Sequence, residues 1–129
     1  MIIVEKESFM SAIPIQKTLS KEELYTLIQN YQKNHDQKSK EMIILSNTKL
    51  VLSLMKRFYQ KSNHYEDLFQ VGIVGLIKAV DHFDTNYQLQ FSTYAVPLII
   101  GEMKRYLGKI FKSVSKRTND SRIITKFKY

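Results

Sequence analysis

From residue 19 to residue 107 the hydrophobic positions of this chain recur at helical spacing, and no segment reads as a convincing strand. Leu24, Leu27, Ile28 and Tyr31 follow the i, i+3, i+4, i+7 rule on an otherwise polar stretch. Ahead of them, Ser20-Lys21-Glu22-Glu23 has the form of a capping box, in which the serine hydroxyl accepts from the Glu23 amide and the Glu23 carboxylate accepts from the Ser20 amide. These signals predict a helix from Ser20 to near Asn34, with Leu19 and Leu24 placed as a hydrophobic staple. A second helical pattern runs from about Asp36 to Gln60. Its apolar residues, Met42, Ile43, Leu45, Leu50, Val51, Leu54, Met55 and Phe58, crowd more than one face. Helices apolar on several faces are usually packed around by others, so this one is predicted to be central, with Asn47 and Thr48 as a bend or break. A polar turn over 61–64 follows, and Asn63 with Glu66 three residues later reads as the next helix start.

The third pattern, about Tyr65 to Phe83, offers Leu68, Leu76, Val80 and Phe83 to a core. Gly72, Gly75 and Ala79 make a small-residue stripe beside them. Each glycine inside a helix costs roughly 0.5 to 1 kcal/mol relative to alanine, and close approach of a neighbouring helix is the physical reason to place two there. Asp67, Gln70, Val71, Ile73, Val74 and Ile77 cannot all face one core, so some apolar side chains are expected to be exposed or covered by a partner. After a polar break over 85–90, Ser92 is the expected N-cap of the last strong helix, with Pro97 near its start. Val96, Ile99, Ile100, Met103 and Leu107 make its expected buried stripe. Phe91, Tyr94, Leu98, Gly101 and Arg105 lie on an adjacent stripe with Lys104 beside it. Beyond Gly108 the chain turns basic and irregular, and weak helix or disorder is expected there.

The fold class is therefore all-α: a compact helical bundle of about four main helices with a basic, poorly structured C-terminal tail. Three segments follow: a loose lead-in over 1–18, the helical domain over 19–107, and the tail over 108–129. At 129 residues there is room for one domain with a real core. The hydrophobic content of 43% argues against disorder, and the formal net charge of +8 predicts a polyanionic partner, nucleic acid before a membrane surface. The chain has no cysteine, which excludes disulfides, thiolate nucleophiles and thiolate metal sites. No secretion signal is seen, and the longest apolar run, 95–100, is interrupted by Pro97 and far short of a membrane span. A soluble, cytoplasmic protein without a membrane partner is expected.

Catalysis fits poorly. Asp81, Asp84 and Glu102 are the only carboxylates to suggest a metal or acid–base cluster, with His82 as a base. The first two end a helix, where solvated acids are common, and no nucleophile elbow, phosphate loop or zinc spacing accompanies them. The expectation is no enzyme, no metal and no cofactor; His35 and His64 read as loop residues. Charge and helicity alone also suit a duplex-binding helix-turn-helix protein. Against that, aromatic and basic residues coincide on one stripe, a pattern suited to unpaired bases, which stack on aromatic rings while cations hold the phosphates.

Three strings carry a resemblance: Asp67-Leu-Phe-Gln-Val-Gly72, Gly75-Leu-Ile-Lys-Ala-Val-Asp81, and Phe91-Ser-Thr-Tyr-Ala-Val-Pro-Leu-Ile-Ile-Gly-Glu102. With them the sequence resembles region 2 of the sigma-70 family of bacterial RNA polymerase sigma factors, in the sporulation and stress branch of Gram-positive bacteria. The likeness covers roughly residues 19 to 107, including the stretch that precedes region 2. It implies that Asp67, Gln70, Val71, Ile73 and Ile77 dock on the coiled coil of the beta-prime subunit of core RNA polymerase. It also implies that the segment from Phe91 opens and reads promoter DNA at the minus-ten element, chiefly its non-template strand. Tyr87, Phe91 and Tyr94 would stack bases, with Tyr94 the stronger candidate because Phe91 also suits a place capping the bundle. Lys104, Arg105 and Lys109 would hold phosphates, Gly101 and Glu102 fall where base edges are read, and Leu98 belongs to the same DNA-facing stripe.

Housekeeping sigma factors carry a tryptophan pair where this chain has Pro97 and Leu98, which implies weaker strand opening and stricter dependence on promoter sequence. After Leu107 the chain departs from the family and shows no regions 3 and 4. The expectation is a partial sigma factor for transcription initiation, with an anti-sigma factor or a separate protein carrying region 4 as further partners. The alternatives are a non-initiating polymerase-binding regulator that competes with full-length sigma factors, and the remnant of a disrupted sigma gene.

Overall fold

A computed structural model describes residues 19–61, 64–86 and 89–118. They form four α-helices, α1 (Lys21–Asn34), α2 (Gln37–Met55), α3 (Tyr65–His82) and α4 (Phe91–Thr118), with a 3-10 segment, Lys56–Lys61, after α2. No strand occurs among the described residues. The lead-in over 1–18 and the end of the tail over 119–129 lie outside them.

The capping box forms as the sequence predicts: the Glu23 amide donates to Ser20 Oγ and the Ser20 amide to Glu23 Oε1, each at 3.2 Å. α1 stops where His35 takes a left-handed conformation, φ 53°, and donates its amide to the Tyr31 carbonyl at 2.8 Å. Asp36 then starts α2, accepting from the Ser39 amide at 3.1 Å and from its hydroxyl at 2.6 Å. These bonds to Ser39 hold the Asp36 carboxyl below the usual carboxylate range.

α2 runs unbroken through Asn47 and Thr48, contrary to the expected bend or break. The Asn47 amide nitrogen donates to the Ile43 carbonyl at 2.8 Å and the Thr48 hydroxyl to that of Ile44 at 2.9 Å. Polar side chains inside a helix satisfied by its own backbone in this way need not interrupt it. α2 sends Ile43, Val51, Leu52, Leu54 and Met55 into the core, with Phe58 following from the 3-10 segment.

α3 begins at Tyr65 with His64 at the N-cap position and without a side-chain capping bond from it; Asn63, read from the sequence as the helix start, lies outside the described residues. Its inner face carries Leu68, Leu76, Ala79 and Val80. At its C-terminal end, Gln32 of α1 donates through Nε2 to the carbonyls of Val80 and Phe83, at 2.7 and 2.8 Å. One side chain thus supplies donors to two carbonyls where the helix ladder ends. α1 also steadies the α3–α4 connection, through Gln29 to the Thr85 hydroxyl at 2.8 Å and the Tyr25 hydroxyl to the Leu89 carbonyl at 3.1 Å.

α3 and α4 approach most closely along the small-residue stripe. A Cβ added at Gly75 would lie 2.7 Å from both the Ile99 Cα and the Leu98 carbonyl oxygen. One added at Gly72 would lie 2.7 Å from Met103 Cε and 2.8 Å from Val51 Cγ1. Close helix approach, expected from the glycines, is their structural role.

α4 departs from the sequence reading at both ends. It starts at Phe91, with the Tyr94 amide donating to the Gln90 carbonyl at 3.3 Å, so Ser92 lies within the first turn and is not the N-cap. It also continues past Gly108 to Thr118, where weak helix or disorder was expected. No acidic residue occurs between Glu102 and Asp120, and after Pro97 no further proline interrupts it. The sealed row is Phe91, Ala95, Ile99, Met103 and Leu107, while Val96 and Ile100 are only half-buried.

Candidate functional site

The residues assigned to partners fall on two outward surfaces, one on α3 and one on α4. On α3 the outer ridge is Asp67, Gln70 and Val74, all exposed, with Val71 half-buried beside them. Val74 is one of the few large hydrophobic residues left open to solvent, 44% exposed. Ile73 packs partly against the core, and Ile77 turns into a shallow crevice lined by Tyr31, Lys40, Ile43, Ile44 and Val80. Of the five residues assigned to docking, the structure therefore gathers Asp67, Gln70 and Val71 on one ridge and sets Ile73 and Ile77 on its inner flank. Val74 completes the ridge. It was among the surplus apolar residues of the sequence but fell outside the assigned set.

Asp67 is anchored within the chain. The Tyr106 hydroxyl of α4 donates to its Oδ2 at 2.7 Å, and His64 Nδ1 lies 3.7 Å from the same oxygen. The His64 and Tyr106 rings meet edge-on at 6.2 Å. Burial, together with the neighbouring Asp67 carboxylate, raises the Tyr106 phenol well above the usual tyrosine range, so the hydroxyl keeps its proton and serves as a donor.

On α4 the residues assigned to DNA divide. Phe91 is 2% exposed, its ring edge-on to Phe83 at 5.3 Å. This corrects the expectation of a base-stacking platform at Phe91: the ring is spent in the interior. Tyr94, three residues on, is half-buried and tilted against Phe83 at 5.6 Å, so one part of its ring is supported by the core while the remainder meets solvent. Tyr87 lies outside the described residues.

Leu98 and Gly101 continue from Tyr94 along the helix, both half-buried, and an added Cβ at Gly101 would meet nothing within 4 Å. Lys104, Arg105 and Lys109 are exposed. The stripe that reaches solvent on α4 is therefore Tyr94, Leu98, Gly101, Arg105 and Lys109, residues three and four apart and so on one face.

Glu102 differs from its neighbours. Its carboxylate, with the side chain only 14% exposed, accepts from Lys78 Nζ of α3 at 2.5 Å and from Arg105 Nη1 at 3.0 Å. The hydrogen bond from Lys78 is the main reason its carboxyl lies below the usual range, opposing the effect of burial. Glu102 is thus engaged with two cations, and it fixes Arg105 in orientation while tying α4 to α3. Lys78 had no sequence signal for this role, because a pair between helices leaves no periodic trace.

The carboxylates weighed for catalysis do not converge. Asp81 and His82 are exposed at the end of α3, and Asp84 Oδ1 accepts from the Asn86 amide at 2.9 Å to close a turn. Among the described residues no three or more His, Asp or Glu side chains are grouped as metal ligands would be. No described helix is long and apolar enough to cross a membrane.

Comparison with known proteins assigns the chain to a family. The family model described as Sigma-70 region 2 matches residues 43–110, which takes in most of α2, all of α3 and most of α4. The chain is similar to the RNA polymerase sigma-G factor of Bacillus subtilis (strain 168), 43% identical over 97 residues, which make up 75% of this chain and 36% of that protein. It is 47% identical over 89 residues to the RNA polymerase sigma-F factor of Bacillus licheniformis, 69% of this chain and 34% of that one. With the putative RNA polymerase sigma-G factor of Bacillus thuringiensis subsp. kurstaki it shares 44% identity over 89 residues, 69% of this chain and 70% of that protein. The chain thus spans about a third of the length of the first two relatives, in their region 2. On the family match and these identities, over the helices that carry both outward surfaces, the chain belongs to the sigma-70 family.

Proposed function

We propose that the protein acts as a sigma factor, binding core RNA polymerase through the α3 ridge and recognising and opening the minus-ten promoter element with the outer stripe of α4. The α3 ridge suits a protein partner: Val74 and Val71 offer apolar surface, and Gln70 and Asp67 offer polar groups at its rim. We place the beta-prime coiled coil there, with Ile73 and Ile77 supporting the ridge from beneath. On α4, Tyr94 supplies an aromatic face, Arg105, Lys104 and Lys109 supply positive charge, and Leu98 and Gly101 leave space between them for a base. Stacking of a base is worth roughly 1 to 3 kcal/mol, and unstacking a step costs a few kcal/mol. A small number of captured bases is enough to offset local opening without a chemical fuel.

The observation that carries this reading is the position of Tyr94: held against Phe83 on one side, half-open on the other, and on the face that leads to Arg105. Glu102 enters as the residue that positions Arg105; its engagement with Lys78 and Arg105 speaks against direct reading of a base edge.

The test combines the protein with core polymerase on DNA carrying a minus-ten element. Binding to core, preference for a forked over a fully paired template, and opening of the paired template are expected. Val74→Asp and Gln70→Ala should weaken core binding. Absence of core binding would contradict the proposal, and core binding without opening would favour a competitor of full-length sigma factors.

A further inference from the structure

Tyr106 joins α4 to the outer ridge of α3. Its ring is half-buried and packs against the core between the exposed Arg105 and the sealed Leu107. Its hydroxyl reaches across to Asp67 Oδ2 at 2.7 Å, and His64 Nδ1 lies 3.7 Å from the same oxygen. Both contacts fall on Oδ2 and neither uses Oδ1. The Asp67 side chain stays 60% exposed in spite of them. A phenylalanine ring would fill the same space in the packing, so what the hydroxyl adds is a donor aimed at this carboxylate. Because the phenol keeps its proton, that donor is present at any pH at which the protein works.

We infer that Tyr106 is a positioning residue for core docking: its hydroxyl holds Asp67 by one oxygen, so that the carboxylate meets the polymerase already oriented. The inference rests on the proposed role of the α3 ridge and adds to it a residue from the opposite helix. Two costs of docking fall on an exposed aspartate. Its side chain must settle into a single rotamer, and ordering such a side chain at the moment of binding weakens the complex. Its carboxylate must also give up water, which is costly unless hydrogen bonds replace it. The Tyr106 bond meets part of both costs before the partner arrives. Tyr106 acts through Asp67 and need not touch the polymerase itself.

The test is equilibrium binding of the full chain to core polymerase for the unaltered protein, Tyr106→Phe, Asp67→Ala and the two changes together. Tyr106→Phe should weaken binding by about 3- to 10-fold, the size of one hydrogen bond. On the Asp67→Ala background the same change should shift binding by less than about 2-fold, since the hydroxyl then has no carboxylate to hold. Combined with Val74→Ala, at a site about 10 Å along α3 from Asp67, it should keep its full effect. A second measurement needs no polymerase. Scalar couplings should show one Asp67 rotamer in the unaltered chain and averaging among several in Tyr106→Phe, which decides the matter even where Asp67→Ala abolishes binding. Unchanged affinity in Tyr106→Phe overturns the inference. So does an equal loss with and without Asp67, the mark of a purely structural hydroxyl, and so does an Asp67 side chain that already averages in the unaltered chain. Failure of the unaltered chain to bind core would instead contradict the ridge reading, and the inference would fall with it.

Discussion

The two flanks of α4 draw on similar residue types and have opposite fates. One carries Phe91, Ala95, Ile99, Met103 and Leu107, each no more than 2% exposed; the other carries Tyr94, Leu98 and Gly101, each part-open, and leads into Arg105 and Lys109. Hydrophobicity does not separate them, since Leu98 is as apolar as Ile99. What separates them is register against α3. Gly75 brings the backbone of α4 so close that whatever lies on that line is sealed, and whatever lies three residues off it remains at the surface. The close approach that fixes the core thus also sets which aromatic is left for a ligand.

The strongest way to break this comparison is to remove a ring from the sealed flank. Phe91→Ala deletes a buried aromatic that packs on Phe83, and its unfolding free energy should fall by about 3 to 5 kcal/mol, read by urea denaturation. If Phe91 instead behaved as a surface residue, the change would be small.

Next in size is one substitution made on both flanks. Gly75→Ala forces a Cβ into the backbone of Ile99 and the carbonyl of Leu98, neither of which can rotate away. Overpacking of this kind costs about 1 to 3 kcal/mol, and the midpoint of thermal unfolding should drop accordingly. Gly101→Ala meets open space and gains helix propensity, so it should raise stability by up to about 1 kcal/mol. The same change would then have opposite signs at two positions.

A third test concerns the anchor between the helices. The carboxyl of Glu102 is held below its ordinary value of 4.5 in the folded chain, first by the hydrogen bond from Lys78. A group lowered in this way stabilises the fold above its unfolded value, and the contribution is lost as pH falls through the folded value. Wild type should therefore exceed Glu102→Gln in stability at neutral pH, and the two denaturation curves should converge as the solution is acidified below pH 4.5. The smallest effect is expected at the start of the chain's first helix: Ser20→Ala removes a capping bond and should cost about 1 kcal/mol.

Much of this was legible in the sequence, for identifiable reasons. The capping box at Ser20, the glycine stripe of α3 and the sealed positions Leu68, Leu76, Ile99, Met103 and Leu107 all follow from local chemistry or from a period. Where α4 begins did not: Ser92 has the better capping side chain, yet the burial of Phe91 against Phe83 fixes the start earlier, which is a tertiary effect. The length of α4 was missed although Leu107, Ile110, Phe111 and Val114 keep the helical spacing; Gly108 and the basic residues after it were given more weight than that short period. Tyr94 was the stronger stacking candidate in the sequence because Phe91 also suited a place capping the bundle, but both are aromatic, and the packing of α4 against α3 and Phe83 is what seals the one and leaves the other half-open. The Lys78–Glu102–Arg105 group joins two helices and left no linear signal.

The most direct measurement is the affinity of the complex with core polymerase for forked minus-ten DNA relative to the fully paired form, with Tyr94→Ala and Tyr94→Phe beside wild type. Tyr94→Phe keeps the ring and should keep the ratio. Tyr94→Ala should lower it by about 5- to 150-fold, the equivalent of one stacked base, while core binding stays unchanged. A ratio that survives Tyr94→Ala intact would contradict the claim that this half-open ring captures the separated strand.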